Sequence, residues 1–226
     1  MSTSLFDVAG PIMVGPSSSH TAGACKIGQI ARALFSGTPV QADFYLYGSF
    51  ATVYQGHATD RALLAGVMKF MTSAYEIKDA FEIAQKKKIE YRFIPVEDVN
   101  EYHPNTVRII LKSNKQKLSV VGSSIGGGKV QIVQINNIPI DLEASVGRFF
   151  SILIGHENDI AFLNPIYGRL IEWGCPISAK KTITAGKNSL TLLNIEDHFL
   201  RLNQVMALEK LPGIQFARAL TKLLKY

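Results

Sequence analysis

The sequence predicts an α+β protein of two parts, and three observations carry that reading. Apolar residues recur with helical spacing at Ile27, Ile30, Ala31 and Leu34, and a strand-like alternation follows over 41–47. Five more strand-like runs then crowd residues 90–142 behind one short polar helix. Beyond residue 148 the order resets to strand, helix, strand, strand, helix, strand, the βαββαβ of a ferredoxin-like unit. The expected division is a first domain over 1–144 and a second over 148–226.

Taken in order, residues 2–14 form a lead-in with little period, and the first helix spans 21–35 before Ser36-Gly37 stops it. In the strand over 41–47, Phe44 and Leu46 alternate with Asp43 and Tyr45, and Gly48 closes it. Gly56-His57-Ala58-Thr59-Asp60 then leads into a helix carrying Leu63, Leu64, Val67, Met68 and Phe70, with Thr59 or Asp60 as its cap. A polar helix over 78–88 precedes strands over 90–94, 106–112, 117–121, 129–135 and 138–142, the last two joined at Asn136-Asn137 as a hairpin.

Around 144–147 the pattern resets. Strand 149–154 is followed by a helix over 160–173 closed by Gly174. Because Pro165 is tolerated only in a first turn, that helix is expected to start near Asn164. Strand 179–184, a turn at Ala185-Gly186-Lys187, strand 190–195, helix 199–209 and strand 214–221 complete the unit.

Composition narrows the function. The 226 residues suffice for one large domain or two small ones, and 47% hydrophobic with 19% charged residues is ordinary for a globular protein. The net charge of +6 is spread along the chain; its one run, Lys86-Lys87-Lys88, falls at a helix end where lysines complement the dipole, so no nucleic-acid partner is expected. Two distant cysteines, Cys25 and Cys175, without a CxxC partner, cannot build a zinc site or a full iron–sulfur ligand set, so any cluster comes from elsewhere. No basic and apolar leader stands at the start, and no apolar run approaches the ~20 residues that span a bilayer, so the chain is expected to be cytoplasmic and free of the membrane.

The densest polar stretch is Gly15-Pro16-Ser17-Ser18-Ser19-His20-Thr21-Ala22-Gly23. Its glycine and proline bend and stiffen the chain, and its hydroxyls can cap the helix that follows or donate to a ligand. A helix start rich in donors suits a small anion such as an amino-acid carboxylate; the bland reading is a serine-rich cap. Three further polar clusters follow: Gly56 to Asp60, Tyr102-His103-Pro104-Asn105-Thr106, and Ser123-Ser124-Ile125-Gly126-Gly127-Gly128.

In this order of motifs the chain resembles, over almost its whole length, the β subunit of the bacterial iron–sulfur-dependent L-serine dehydratases, also called L-serine ammonia-lyases. The resemblance implies conversion of L-serine to pyruvate and ammonia, with a [4Fe–4S] cluster carried by a separate α subunit. It implies that Ser17, Ser18, Ser19, His20 and Thr21 contact the substrate carboxylate and ammonium, joined by His103 and Asn105. His57 and His20 become the candidate catalytic residues. His57 is the expected base or its immediate partner, since imidazole titrates near working pH, with a loop serine or an α-subunit residue as competitor for the proton. Expected partners are the α subunit, L-serine and a second copy of the chain within a larger heteromer.

The first half also resembles the allosteric substrate-binding domain of some phosphoglycerate dehydrogenases, which keeps open a second reading, a non-catalytic serine sensor, beside a third, a purely structural subunit. The second half resembles an ACT domain. Its turn, His156-Glu157-Asn158-Asp159-Ile160, lacks the glycine and proline usual there, which favours packing or dimerisation over effector binding. Ala58 stands where the dehydratases commonly have glycine, and Ala24-Cys25 where they have a Gly-Pro-type continuation.

Overall fold

The computed structural model of the protein describes residues 14–97, 102–114, 116–143, 150–195 and 200–219. The lead-in over 2–13 and the reset at 144–147 lie outside the described residues, as do residues 149, 199, 220 and 221 at the ends of three expected elements. The chain divides into two compact units, residues 1–136 with 140–144, and residues 137–139 with 145–226.

In the first unit a π-helical turn over Ser18–Gly23 runs directly into helix α1, Ala24–Leu34. Strand β1, Gln41–Tyr47, follows, then α2, Gly48–Val53, and α3, Thr59–Val67. A 3-10 segment over Tyr75–Asp79 leads into α4, Ala80–Lys86, and the chain returns as β2, Glu90–Pro95. Strands β3, Thr106–Lys112, β4, Lys117–Gly126, β5, Lys129–Ile135, and β6, Ile138–Glu143, complete a six-stranded sheet of order β2-β1-β3-β4-β5-β6. β1 and β2 are parallel, as a helical crossover requires, whereas β3 runs antiparallel to both β1 and β4, and β4 to β5. Asn136 and Asn137, both with positive φ, make the tight turn between β5 and β6.

The apolar stripe of α1 buries Ile27, Ile30, Ala31 and Leu34 against β3, β4 and β5. α1 packs closest on α3, and glycines set the spacing. A Cβ on Gly28 would lie 2.4 Å from the Leu63 carbonyl oxygen, and one on Gly66 would lie 2.1 Å from that of Cys25. On β1, Phe44 and Leu46 are buried, and Phe44 stacks on its register partner Phe93 at 4.8 Å. Asp43 is buried too, held by Arg92 at 2.8 Å, Lys112 at 3.1 Å and Gln41.

Several boundaries differ from the sequence reading. α3 ends at Val67, leaving Met68 and Phe70 beyond it, where Lys69 turns with φ 71°. Neither Thr59 nor Asp60 caps α3: the cap position is Ala58, and the Asp60 carboxylate instead accepts from the Arg61 N–H at 2.7 Å. β4 continues through Ser123 and Ser124, which are fully buried strand residues.

In the second unit, β7, Phe150–Glu157, is followed by a 3-10 turn over Ile160–Leu163 and α5, Asn164–Glu172, with Pro165 in its first turn. β8, Ile177–Ala185, β9, Asn188–Ile195, α6, Leu202–Glu209, and β10, Ile214–Ala219, follow. The sheet order is β10-β7-β9-β8, antiparallel throughout, so the first and third strands of the unit lie at the centre. Ile152, Ile154, Leu193 and Ile195 of the sheet close a core with Leu163, Ile166 and Leu170.

Candidate functional site

The Ser17 turn is built by its own side chains. Gly15 has φ 137° and lies so close to Thr21 that a Cβ would be 2.4 Å from the threonine methyl. Ser17 is extended and caps the turn, its Oγ accepting from the His20 N–H at 3.1 Å while its carbonyl accepts from the Thr21 N–H at 2.9 Å. The N–H groups of Ser18 and Ser19 stand in the first turn, where no intrahelical acceptor exists and the helix dipole is positive. Wide π-type turns of this kind often occur at functional sites.

His57 reaches the same place from the start of α3. Its N–H donates to the Val53 carbonyl at 3.2 Å, and its ring Nδ1 lies 3.4 Å from the same oxygen. Ala58 then takes a left-handed conformation, φ 55°, that turns the chain into α3. The buried Thr21 hydroxyl donates to the His57 carbonyl at 3.2 Å, tying the two helix starts together. The His20 and His57 rings lie 4.9 Å apart, and Phe50 presents its ring to His20 at 5.4 Å. Burial first, and then the charge of His57, push the His20 imidazole below its usual range.

One partner of His20 lies outside the residues that the sequence singled out. Ser49, on α2, places Oγ 3.0 Å from His20 Nε2. The sequence reading ended β1 at Gly48 and assigned nothing to 48–53; a glycine followed by a hydroxyl at a strand end was the one local cue.

The remaining motifs flank this centre. His103 is exposed and folds its own turn, its Nδ1 accepting from the Asn105 N–H at 3.2 Å. Thr106 donates to the His103 carbonyl at 2.6 Å and pairs with Ser123 at 2.7 Å. Asn105 is bound through its carbonyl to the Ser124 N–H at 2.9 Å, and Ser124 lies beneath the π turn, where a Cβ on Gly23 would meet its Oγ at 2.0 Å. Asn105 Oδ1, Ser124 Oγ and Thr59 Oγ1 are buried oxygens with no protein partner, a costly condition that a polar ligand or water relieves. Gly126, Gly127 and Gly128 all have positive φ, and the Gly128 carbonyl accepts from Lys26 Nζ at 2.7 Å, which anchors the hairpin to α1. Ser17, His20, Thr21 and His57 are therefore brought together, Asn105 borders them through Ser124, and His103 serves its own turn.

Among the described residues no group of three or more His, Cys, Asp or Glu is gathered as for a metal ion. Cys25 and Cys175 belong to different units and are both buried. Burial pushes the Cys25 thiol up to about 12 and raises that of Cys175, which opposes the thiolate form that binds iron. These residues do not fit an iron–sulfur cluster. Among the described residues no helix is long and apolar enough to cross a membrane.

Residues 4–135 match the family described as "Serine dehydratase beta chain". The chain is 38% identical over 217 residues, 93% of its own length and 94% of the relative's, to "Probable L-serine dehydratase, beta chain" of Bacillus subtilis (strain 168). It is 46% identical over 152 residues, 67% of each chain, to "L-serine dehydratase, beta chain" of Peptoniphilus asaccharolyticus.

Proposed function

The chain belongs to the serine dehydratase beta-chain family, and on that premise we propose that it is the β subunit of an L-serine dehydratase, supplying the serine-binding groups and the base for elimination. The observation that carries this reading is the pairing of His20 and His57 at 4.9 Å beside the capped Ser17 turn.

In this reading the serine carboxylate binds the N–H groups of Ser18 and Ser19 and the loop hydroxyls, where the helix start is positive. The ammonium binds among the same loop hydroxyls with Asn105, whose Oδ1 lacks a protein partner. The Val53 carbonyl can only accept, so His57 carries its proton on Nδ1 and offers the Nε2 lone pair to the substrate α-proton. His57 takes that proton, the Cβ–O bond breaks, and the departing hydroxide leaves as water, the α-proton released through His57 balancing the one it takes up. The aminoacrylate so formed tautomerises to the imine and hydrolyses to pyruvate and ammonia. His20, whose lowered pKa favours the neutral ring, leaves room for the positive charge on His57.

The iron–sulfur cluster implied by the family resemblance would be carried by an α subunit and would supply Lewis-acid chemistry there. The second unit is assigned to packing between copies: its βαββαβ order supports the ferredoxin-like, ACT-like reading, and its first turn is filled by Asp159, whose carboxylate caps Ala161 N–H at 2.8 Å.

The test is anaerobic pyruvate formation from L-serine by this chain alone, by the chain with a cluster-bearing α subunit, and by that pair carrying His57→Ala. Activity confined to the wild-type pair, with a loss of about 10²-fold or more in the variant, is the expected result. Undiminished turnover with a lost response to serine would instead make the chain a sensor.

A further inference from the structure

His20 has two hydroxyl neighbours, and they are not equivalent. Ser17 Oγ is occupied in capping the turn, accepting the His20 backbone N–H at 3.1 Å, and lies 3.4 Å from ring Nδ1, near the limit of a hydrogen bond. Ser49 Oγ meets ring Nε2 at 3.0 Å. The better-formed contact is the one that fixes the ring.

Ser49 is itself held from three sides. Gly48 has φ 52° and sits against Pro104, whose carbonyl oxygen would be 2.7 Å from a Cβ there. That carbonyl also accepts from the Phe50 N–H at 3.3 Å, and the Thr52 hydroxyl donates to the Ser49 carbonyl at 3.2 Å. Ser49 further lines a cavity of about 610 Å³ together with Thr52, Glu97 and Tyr102, a space wide enough for several waters.

We infer that Ser49 is a positioning residue, holding His20 by Nε2 so that the ring stays in place against His57. The aromatic neighbours do not supply this hold: Phe50 carries no hydrogen-bonding atom, and His57 meets the ring as a tilted neighbour at 4.9 Å between centroids. The kinetic consequence rests on the dehydratase reading; the effect on the ring does not.

The experiment uses the full-length chain carrying Ser49→Ala or Ser49→Thr. Ring ¹⁵N shifts of His20 are recorded by long-range ¹H–¹⁵N correlation, and kcat and KM for pyruvate formation are measured in the pair with the α subunit. Expected for Ser49→Ala are His20 nitrogens moved toward the averaged shifts of a free imidazole and a kcat lower by roughly tenfold, the worth of one hydrogen bond, with KM within about twofold. Ser49→Thr, which keeps the hydroxyl, restores both. Unchanged His20 shifts in Ser49→Ala overturn the inference whatever the activity. A wild-type pair inert toward serine removes the dehydratase reading while the shifts still decide the role of Ser49. Should the alanine variant fail to fold, Ser49→Cys, close in volume and a weaker partner, carries the same measurement.

Discussion

His20 and His57 meet ring against ring, 4.9 Å between centroids and 36° between planes, because each stands at the start of one of two helices that pack side by side. Two imidazoles this close cannot both take a proton without mutual cost. NMR titration of the full-length chain should place His20 below the ordinary value of 6.5, and His57→Asn should move it partway back, since burial, the larger cause, remains.

The same depression links stability to pH. The unfolded chain binds a proton at His20 near 6.5, the folded chain only at lower pH, so between those values the unfolded state holds more protons and acid favours unfolding. The urea midpoint should therefore rise as pH climbs toward 6.5 and level off above it. His20→Gln should flatten that part of the curve.

Asp43 acts in the same direction but further into acid. Burial alone would raise its pKa, but hydrogen bonds from Arg92, Gln41 and Lys112, with the charge of Lys112, outweigh it and bring the carboxyl down to about 2 from 3.8. Its contribution is complete above 3.8 and is lost as pH falls through about 2. Asp43→Asn should cost about 1–3 kcal/mol by denaturant unfolding at neutral pH and remove that acid dependence.

Removing the Ser17 hydroxyl withdraws a cap and a proposed ligand contact together. Ser17→Ala should lower stability by about 1 kcal/mol in thermal unfolding and raise KM for L-serine more than it lowers kcat. A KM equal to that of the wild type would remove Ser17 from the binding role.

Ala58 holds φ 55°, a conformation costing an L-residue about 1–2 kcal/mol that glycine avoids. Ala58→Gly should raise stability by a few tenths to about 1 kcal/mol, part of the relief being offset by the greater freedom of glycine in the unfolded chain. Calorimetry of the two proteins decides it.

Much of the fold was legible where the signal is local. β1 and the Asn136-Asn137 turn lie where alternation and turn chemistry put them, and α5 starts at Asn164 because Pro165 admits no earlier start. α2 was not legible: six residues are too few for an apolar stripe, and its start depends on Gly48 lying against Pro104, a contact fifty-six residues away in sequence, about which a local pattern says nothing. Ser123 and Ser124 read as loop residues because they lead into three glycines, yet here both are buried strand residues, Ser124 against Gly23 of the π turn and Ser123 paired with Thr106. Of the candidate site, the serine turn and both histidines were visible as unusual residue types; Ser49 was not, since only tertiary structure brings it to His20.

The closeness of α1 and α3 at Gly28 and Gly66 sets the spacing of the histidine pair from a place outside its polar contacts. By helix rise, Gly28 lies roughly 12 Å along the chain from His20, and it carries no chemistry of its own. A single methyl at either glycine would act as a shim, prising the two helices apart and opening the gap between the imidazoles with every polar group intact. The working tolerance of the site is thus recorded in two missing side chains, in a part of the protein that a search among reactive residues would pass over.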